Sequence, residues 1–220
     1  SNWRLPNQAG VDSYLNDNYG LTFDGSSEYI DLGTDSQIQF NTTFSISCWV
    51  KTSNTSQNKF IIHRGVHYSE TFQDYRLLIT SSGNAQLRVN NNSYSVTSTE
   101  TNLDDGNWHH IVAICDLENT DGHIYVDNGT PATNTSFPSS LNLNTGYSSY
   151  ISSPGGSFDM IGNISEVAVF DYALSSTQVS TLYGSSSLGA GNPLALKPAP
   201  VAFYPLGDNS SGNPLTQPNE

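Results

Sequence analysis

The fold of this chain is decided by one stretch, Gly106-Asn-Trp-His-His-Ile-Val-Ala-Ile-Cys-Asp-Leu-Glu-Asn-Thr-Asp-Gly-His-Ile-Tyr-Val-Asp-Asn-Gly129. It contains a nearly continuous apolar run over residues 108–115, then a polar turn, and then a short alternating run over residues 123–126. Its Asp-Gly and Asn-Gly pairs favour the positive φ of tight turns, so the stretch predicts two antiparallel β-strands. The first strand is apolar on both sides, which indicates a sheet covered on both faces and therefore a two-sheet body.

Similar strand patterns recur along the chain. The clearest is Phe44-Ser-Ile-Ser-Cys-Trp-Val-Lys51, in which alternate residues are apolar. Residues 158–161 and 164–170 predict two further strands that are broken at Gly162. About ten short strands at regular spacing are typical of an all-β sandwich.

One short helix is predicted over residues 175–183. Ser175 is a good N-cap, Gln178 completes a capping box, and Gly184 ends the helix. The predicted fold class is therefore all-β, a two-sheet antiparallel jelly-roll sandwich with one short helix.

Composition excludes several classes of function. The formal net charge is −13 and only 7 residues are Lys or Arg, so the chain lacks the basic clusters that bind nucleic acid or anionic membranes. No apolar run reaches the roughly 18 residues of a membrane-spanning helix, so we expect no membrane insertion.

Changes in composition divide the chain into four parts. Residues 1–19 are a polar, irregular lead-in, and residues 20–184 are the predicted sandwich. Residues 185–200 are rich in Gly, Ser and Pro and predict a linker. Residues 201–220 predict one more strand followed by a polar tail.

Five motifs resemble the laminin-G-like and pentraxin-like jelly rolls of the concanavalin A-like lectin/glucanase superfamily, in the same order and with similar spacing. They are Leu21-Thr-Phe-Asp-Gly-Ser-Ser-Glu-Tyr-Ile30, residues 44–51, Gly106-Asn-Trp-His-His-Ile-Val-Ala113, Ile124-Tyr-Val-Asp127, and residues 162–170 followed by 173–175. The resemblance implies two antiparallel sheets of six or seven strands packed face to face.

The end of the chain departs from that family. Such domains usually open with an apolar strand similar to Val-Ala-Phe-Tyr-Pro-Leu, which here stands at residues 201–206. This strand can fold back into its own body, fill the first slot of a following repeat, or be donated to a neighbouring copy. The residues that would make these contacts are Val201, Ala202, Phe203, Tyr204 and Leu206.

A glycan-binding site and a calcium site are the ligand sites that the resemblance implies. The glycan candidates His63, Arg64, Tyr68, Tyr75 and Arg76 cluster around the loop between the predicted strands 60–64 and 75–80, and Trp49 lies on the strand face opposite Cys48. The alternative is that these side chains pack in the core or at its rim. A structural Ca²⁺ would use Asp24, Glu166 and Asp171, because hard cations prefer oxygen ligands. The alternative is that Glu166 hydrogen-bonds a loop backbone.

Two kinds of covalent modification are compatible with the sequence. Cys48 and Cys115 lie in predicted strands and form either one disulfide or two buried thiols. Seven Asn-X-Ser/Thr sequons permit glycosylation in a secreted protein; they are at Asn41, Asn54, Asn91, Asn128, Asn134, Asn163 and Asn209.

Nothing in the sequence indicates catalysis. Glycan hydrolases of the resembled superfamily carry acidic residues at alternate strand positions, as in Glu-X-Asp-X-Glu, and no such triplet occurs here. Asp116 and Glu118 fall at a turn, where carboxylates usually accept backbone N–H groups.

The first hypothesis is therefore a non-catalytic structural or adhesion module on a cell or virion surface or elsewhere outside the cell. Its partners would be other copies, joined head to tail by strand donation. The second hypothesis is a lectin-like, glycan-binding domain of a larger adhesin or carbohydrate-active protein.

Overall fold

A computed structural model describes residues 20–26, 28–66, 73–142, 144, 146–153, 158–185 and 190–207. These residues form two antiparallel sheets and one α-helix, as the sequence predicts. The strands are β1 (Leu21–Asp24), β2 (Tyr29–Gly33), β3 (Phe44–Lys51), β4 (Lys59–Gly65), β5 (Gln73–Ile79), β6 (Ala85–Val89), β7 (Tyr94–Thr97), β8 (Trp108–Asp116), β9 (Asp121–Val126), β10 (Ala132–Asn134), β11 (Ser149–Ser152), β12 (Ile161–Phe170) and β13 (Ala202–Tyr204).

The larger sheet has seven strands in the order β1-β12-β3-β8-β9-β10, with β13 also paired to β12. At its centre, β3 pairs with β8 over the full length of β3, from Phe44 opposite Cys115 to Lys51 opposite Trp108. The stretch over residues 106–129 forms the hairpin of β8 and β9. The prediction of two adjacent antiparallel strands there is confirmed.

The smaller sheet has six strands in the order β2-β11-β4-β5-β6-β7. Its inner face packs on the larger sheet around a core of fully buried side chains, among them Ile46, Val50, Ile62, Leu77 and Ile111. Alternation along each strand sends the remaining side chains to the outer faces. The two outer faces differ in what covers them.

The helix α1 (Ser176–Tyr183) covers part of the larger sheet's outer face. Ser175 caps it and forms a capping box with Gln178, and the helix ends at Gly184. Val179 and Leu182 pack there against Val112 and Phe170 in a second apolar cluster. No helix among the described residues is long and apolar enough to cross a membrane.

The tail strand β13 pairs with β12 of its own chain. Val167, Ala168 and Val169 lie opposite residues 204, 203 and 202, beside the edge that β1 occupies further along β12. The Val201 N–H donates to the Val169 carbonyl at 2.8 Å. Of the three arrangements that the sequence allows, the structure therefore contains the strand folded back into its own body.

The side chains of the tail strand are buried in that position. Ala202, Phe203 and Leu206 are at most 7% exposed, and Val201 and Tyr204 pack partly against the core. Phe203 lies in the cluster beneath α1. The tail thus contributes to the sandwich that its own chain forms.

The prediction of two strands broken at Gly162 is wrong. Residues 161–170 form one continuous strand, β12. Gly162 has a φ of +139°, and a Cβ there would lie 2.1 Å from the Lys51 carbonyl oxygen of the neighbouring strand. Glycine is needed inside this strand because two backbones approach closely there. A glycine in a strand pattern can therefore indicate a close backbone contact as well as the end of a strand.

Candidate functional site

The predicted glycan-binding residues do not form one exposed surface. The described members are Trp49, His63, Arg64, Tyr75 and Arg76, each at most 5% exposed. Tyr68 lies outside the described residues. Trp49 stacks on Tyr183 beside α1, whereas Tyr75 lies in the core and donates its hydroxyl to the Ile38 carbonyl. Neighbouring strand residues face opposite sides of a sheet, which separates these side chains.

Arg64 belongs to a buried polar network rather than to the surface. Its Nε donates to Asp74 Oδ2 at 3.0 Å, and its Nη2 donates to the Asn144 carbonyl at 3.0 Å. Both ionised side chains are almost completely buried, so the pair and its hydrogen bonds must be kept together. These contacts attach residue 144 to the end of the six-stranded sheet.

A row of polar and aromatic side chains crosses the outer face of the six-stranded sheet. In spatial order it consists of Asp31, Tyr150, His63, Arg76, Arg88 and Ser95. Residues directly opposite on antiparallel strands share a face. The row is buried at its centre and open to solvent at Asp31, with Tyr150 half-buried.

The open end of this row carries two tyrosines and a carboxylate. Tyr29 lies two residues before Asp31 on β2, so the two side chains share the outer face. Tyr29 is 46% exposed, and its ring meets Tyr150 edge to face, with centroids 5.9 Å apart. We call Tyr29, Asp31 and Tyr150 the tyrosine platform.

Packing beneath the platform holds it in place. The Tyr150 ring stacks on the buried His63 ring at 5.3 Å, and His63 contacts Phe60 at 5.1 Å. Asp31 Oδ1 accepts the Gly33 N–H at 2.7 Å. Side chains fixed in this way are oriented before a ligand arrives, which lowers the cost of binding.

Of the residues in and directly beneath the platform, the sequence analysis predicted only His63 as a glycan-binding residue. The missed residues, Tyr29 and Tyr150, come from strands that are far apart in the chain. Both lie in short alternating segments, and the alternation of Tyr29-Ile-Asp-Leu32 is visible in the sequence. The pairing of β2 with β11, which brings them together, is not.

A separate cleft of about 580 Å³ lies where four loops meet, after β2, β8, β10 and β12. Its polar lining includes Asn41, Asp116, Glu118 and Asp171. Asp116 Oδ1 accepts the N–H groups of residues 118 and 119, at 3.0 and 3.2 Å, so this carboxylate stabilises a turn as expected. The cleft offers one aromatic side chain, Tyr172, whose hydroxyl donates to the Pro198 carbonyl.

The three predicted calcium ligands are spread along β12. Asp24 lies opposite Ile161, Glu166 is five residues further along the strand, and Asp171 five further again. At 3.3 Å per residue these steps are about 16 Å each. One Ca²⁺ holds its oxygens at about 2.3–2.6 Å, so the three residues do not form one site. Within the described part of the chain, no group of three or more His, Cys, Asp or Glu residues could hold a metal ion.

Two of the predicted calcium ligands have structural contacts within the fold. Asp24 Oδ1 accepts the Ser26 N–H, and the Glu166 backbone N–H donates to the Pro205 carbonyl. Glu166 has a φ of +54° and lies where the pairing of β12 with β3 shifts register. Glu166 therefore lies at a β-bulge, and its backbone N–H binds the carbonyl of Pro205, just after the tail strand.

The adjacent histidines of β8 have opposite environments. His109 lies between two carboxylates, 2.8 Å from Asp127 and 3.2 Å from Asp105. The hydrogen bond to Asp127 is the main reason that its pKa is raised. His110 is buried against Trp49 and within 2.9 Å of the Ser47 hydroxyl. Its burial lowers its pKa to about 4.

The structure contains Cys48 and Cys115 as two free, buried thiols. Cys48 lies opposite Ile111 and Cys115 opposite Phe44, so they are four positions apart along the paired strands. Four residues of strand span about 13 Å, beyond the reach of a disulfide. Burial raises the pKa of both thiols, that of Cys115 to about 12.

The described sequons differ in accessibility. Exposed ones are at Asn41, Asn91 and Asn128, half-buried ones are at Asn54, Asn134 and Asn163, and Asn209 lies outside the described residues. The Asn134 and Asn163 side-chain amides already donate to Ser95 and Thr22. Glycosylation stays a prediction.

Comparisons with known proteins agree on the fold. A laminin-G family model described as "Concanavalin A-like lectin/glucanases superfamily" matches residues 24–180. A search of curated proteins found no match.

Three solved structures illustrate the likeness. A heptameric SAP-like pentraxin from Limulus polyphemus is 17% identical with a TM-score of 0.57, over 76% of this chain and 82% of that one. The Ruminococcus gnavus IT-sialidase CBM40 bound to α2,3-sialyllactose is 14% identical with a TM-score of 0.55, over 73% of this chain and 94% of that one.

The third is a protein from Bacteroides ovatus ATCC 8483 to which carbohydrate binding is ascribed. It is 17% identical with a TM-score of 0.65, over 89% of this chain. This chain spans about half the length of that protein, 54%. At these identities the three structures show a shared fold.

Proposed function

Because the chain belongs to the concanavalin A-like lectin/glucanase superfamily, we propose that it is a non-catalytic glycan-binding module whose ligand stacks on the tyrosine platform. The observation that carries the proposal is the exposure of Tyr29. Its ring is 46% exposed and is braced by Tyr150 at 5.9 Å. Tyr side chains are enriched at recognition surfaces because they combine a large apolar ring with a polar hydroxyl group.

The chemistry of the platform fits a sugar. One face of a sugar ring presents C–H groups that pack on an aromatic ring, and its hydroxyl groups need hydrogen-bond partners. The Asp31 carboxylate accepts hydrogen bonds, and the phenolic hydroxyls of Tyr29 and Tyr150 both donate and accept them. The stack of Tyr150 on His63 limits the reorganisation that binding requires.

The solved structures with this fold support the same class of ligand. The Ruminococcus gnavus module is bound to sialyllactose, and the Bacteroides ovatus protein is a carbohydrate-binding protein by ascription. Glycans of this kind are displayed outside cells, so an extracellular or cell-surface location follows from the proposal.

Binding without hydrolysis is part of the proposal. A retaining or inverting glycosidase needs two carboxyl groups about 5–10 Å apart across a bound sugar. The platform presents one carboxylate, that of Asp31. A glycan that binds the protein should therefore be recovered uncleaved after long incubation.

Substitution of the platform tests the proposal. We expect Tyr29→Ala and Tyr150→Ala each to weaken glycan binding by about 10-fold or more, because aromatic anchors dominate binding energies. Leu194→Ala is the matched control, since Leu194 is an exposed apolar side chain elsewhere at 44%. Glycan-array binding followed by titration calorimetry measures the effect. Equal binding by the platform and control variants would contradict the proposal.

Head-to-tail assembly by strand donation is the second candidate. The observation in its favour is that β13 pairs with β12 through only three residue pairs, so the same contacts could form between copies. Such assembly would make a fibre or coat. Light scattering during size exclusion tests it, since donation predicts oligomers that grow with concentration, and the fold-back arrangement predicts a monomer.

A further inference from the structure

We infer that the tyrosine platform selects its ligands by charge, favouring glycans with free amino groups and disfavouring those with acidic sugars. The inference rests on the proposed function, because it concerns the ligand of the same platform. It is argued from the positions of the charged side chains around Tyr29 and Tyr150.

Among the described residues, the exposed charges near the platform are negative. Asp31 is exposed and lies directly opposite Tyr150 in the sheet. Glu28 is exposed and immediately precedes Tyr29, and its carboxylate accepts the Asp24 N–H at 2.6 Å. Asp31 shares the outer face with Tyr29, so a ligand that stacks on Tyr29 lies beside the Asp31 carboxylate, and Glu28 adds negative charge at the neighbouring position of the chain.

The cations of the same row are buried or distant. Arg76 is three strands from Asp31, about 14 Å away at 4.8 Å per strand. It is 0% exposed, with its guanidinium over the Phe60 ring at 5.0 Å. Arg88 is four strands away, about 19 Å, which is well beyond the Debye length of about 8 Å at physiological ionic strength.

The whole molecule adds to this local charge. The formal net charge of −13 gives the surface a negative potential on average. An acidic sugar would therefore meet repulsion both from the platform and from the protein at long range. An ammonium group on the sugar would instead pair with Asp31.

The expected size of the effect is modest. Ion pairs exposed to solvent change an equilibrium constant by about two- to five-fold. We expect an amino sugar to bind about two- to five-fold more tightly than its neutral counterpart, and an acidic sugar more weakly than the neutral one by a similar factor. The differences should shrink at 1 M salt, where the Debye length is about 3 Å.

Matched immobilised sugars test the inference. Sets of glucose, glucosamine and glucuronic acid oligomers, and the same three forms of galactose, keep the ring constant and change its charge. Wild-type protein and the variants Asp31→Asn and Tyr29→Ala are compared at low and high salt. Asn at position 31 keeps the shape of the side chain and can still accept the Gly33 N–H, so folding is preserved; thermal melting checks this.

The outcomes separate the two proposals. Tyr29-dependent binding in the order amino, neutral, acidic, with the order lost in Asp31→Asn, supports the inference. Tyr29-dependent binding in which acidic sugars equal or exceed neutral ones overturns the inference and leaves the proposed function standing. Absence of binding to every sugar, or binding that Tyr29→Ala leaves unchanged, overturns both.

Discussion

Truncation of Phe203 gives the sharpest test of how the tail completes the fold. Phe203 is 1% exposed and packs in the cluster beneath α1, so Phe203→Ala removes a ring from a filled space. Large-to-small changes of this kind cost about 3–5 kcal/mol, the sum of lost burial and the cavity that remains. For a chain of this length each kcal/mol lowers Tm by about 2–4 °C, so the expected fall is roughly 6–20 °C.

The assay is thermal unfolding followed by circular dichroism, with Leu194→Ala, in the segment before the tail strand, as the control. Leu194 is 44% exposed, so its truncation should leave Tm within about 1–2 °C of wild type. The wild-type Tm should also not depend on protein concentration, because β13 belongs to its own chain. Equal melting of the two variants would refute the packing of β13 on β12, and a Tm that rises with concentration would refute its pairing within one chain.

Three further predictions follow from the described contacts. The pKa of His109 is raised, so the stabilisation that protonated His109 provides is present below pH 6.5 and is lost as the pH rises through the raised pKa. The pKa of His110 is lowered to about 4, so the free energy of unfolding decreases as the pH drops from 6.5 towards 4. Urea midpoints from pH 4 to 9 should show His109→Gln flattening only the alkaline side and His110→Gln only the acidic side, and the reverse pattern would contradict the assignment. Gly162→Ala should cost about 3 kcal/mol of stability or more, because the new Cβ would lie 2.1 Å from the Lys51 carbonyl oxygen. In the control Gly33→Ala the new Cβ meets no atom within 4 Å, so the cost should be about 1 kcal/mol, from the positive φ alone. Equal urea midpoints for the two variants would contradict this prediction. The two cysteines should react with a thiol reagent only after the protein unfolds. The protein measured without reductant should have the mass expected for two free thiols, and a protein mass 2 Da lower would indicate a disulfide and contradict this prediction.

Much of the fold could be predicted because its signals are local. The alternation of residues 44–51 defines β3 without any knowledge of its neighbours, and the capping box at Ser175 and Gln178 defines the start of α1. The glycine at 162 was misread because its role is not local. It accommodates the Lys51 carbonyl of an adjacent strand, and that approach exists only in the assembled sheet.

The candidate site was harder to predict for the same reason. His63, Arg64, Tyr75 and Arg76 are close in sequence, but the sheet buries all four and divides them between its two faces. The platform residues Tyr29 and Tyr150 are 121 positions apart in the chain and meet because β2 pairs with β11. Sequence proximity therefore selected buried residues, of which His63 supports the platform through its contact with Tyr150.

By itself the sequence determined the fold class, the strand and helix patterns, the absence of a basic surface and the presence of an unusually placed apolar strand at the end of the chain. These properties follow from side-chain periodicity, turn chemistry and charge, which each segment carries independently. Only the tertiary structure decided that the last strand pairs with β12, that the cysteines are too far apart to be bridged, and that two tyrosines form an exposed platform. Those outcomes depend on strand order and register, which are set by long-range pairing between segments that share no local signal.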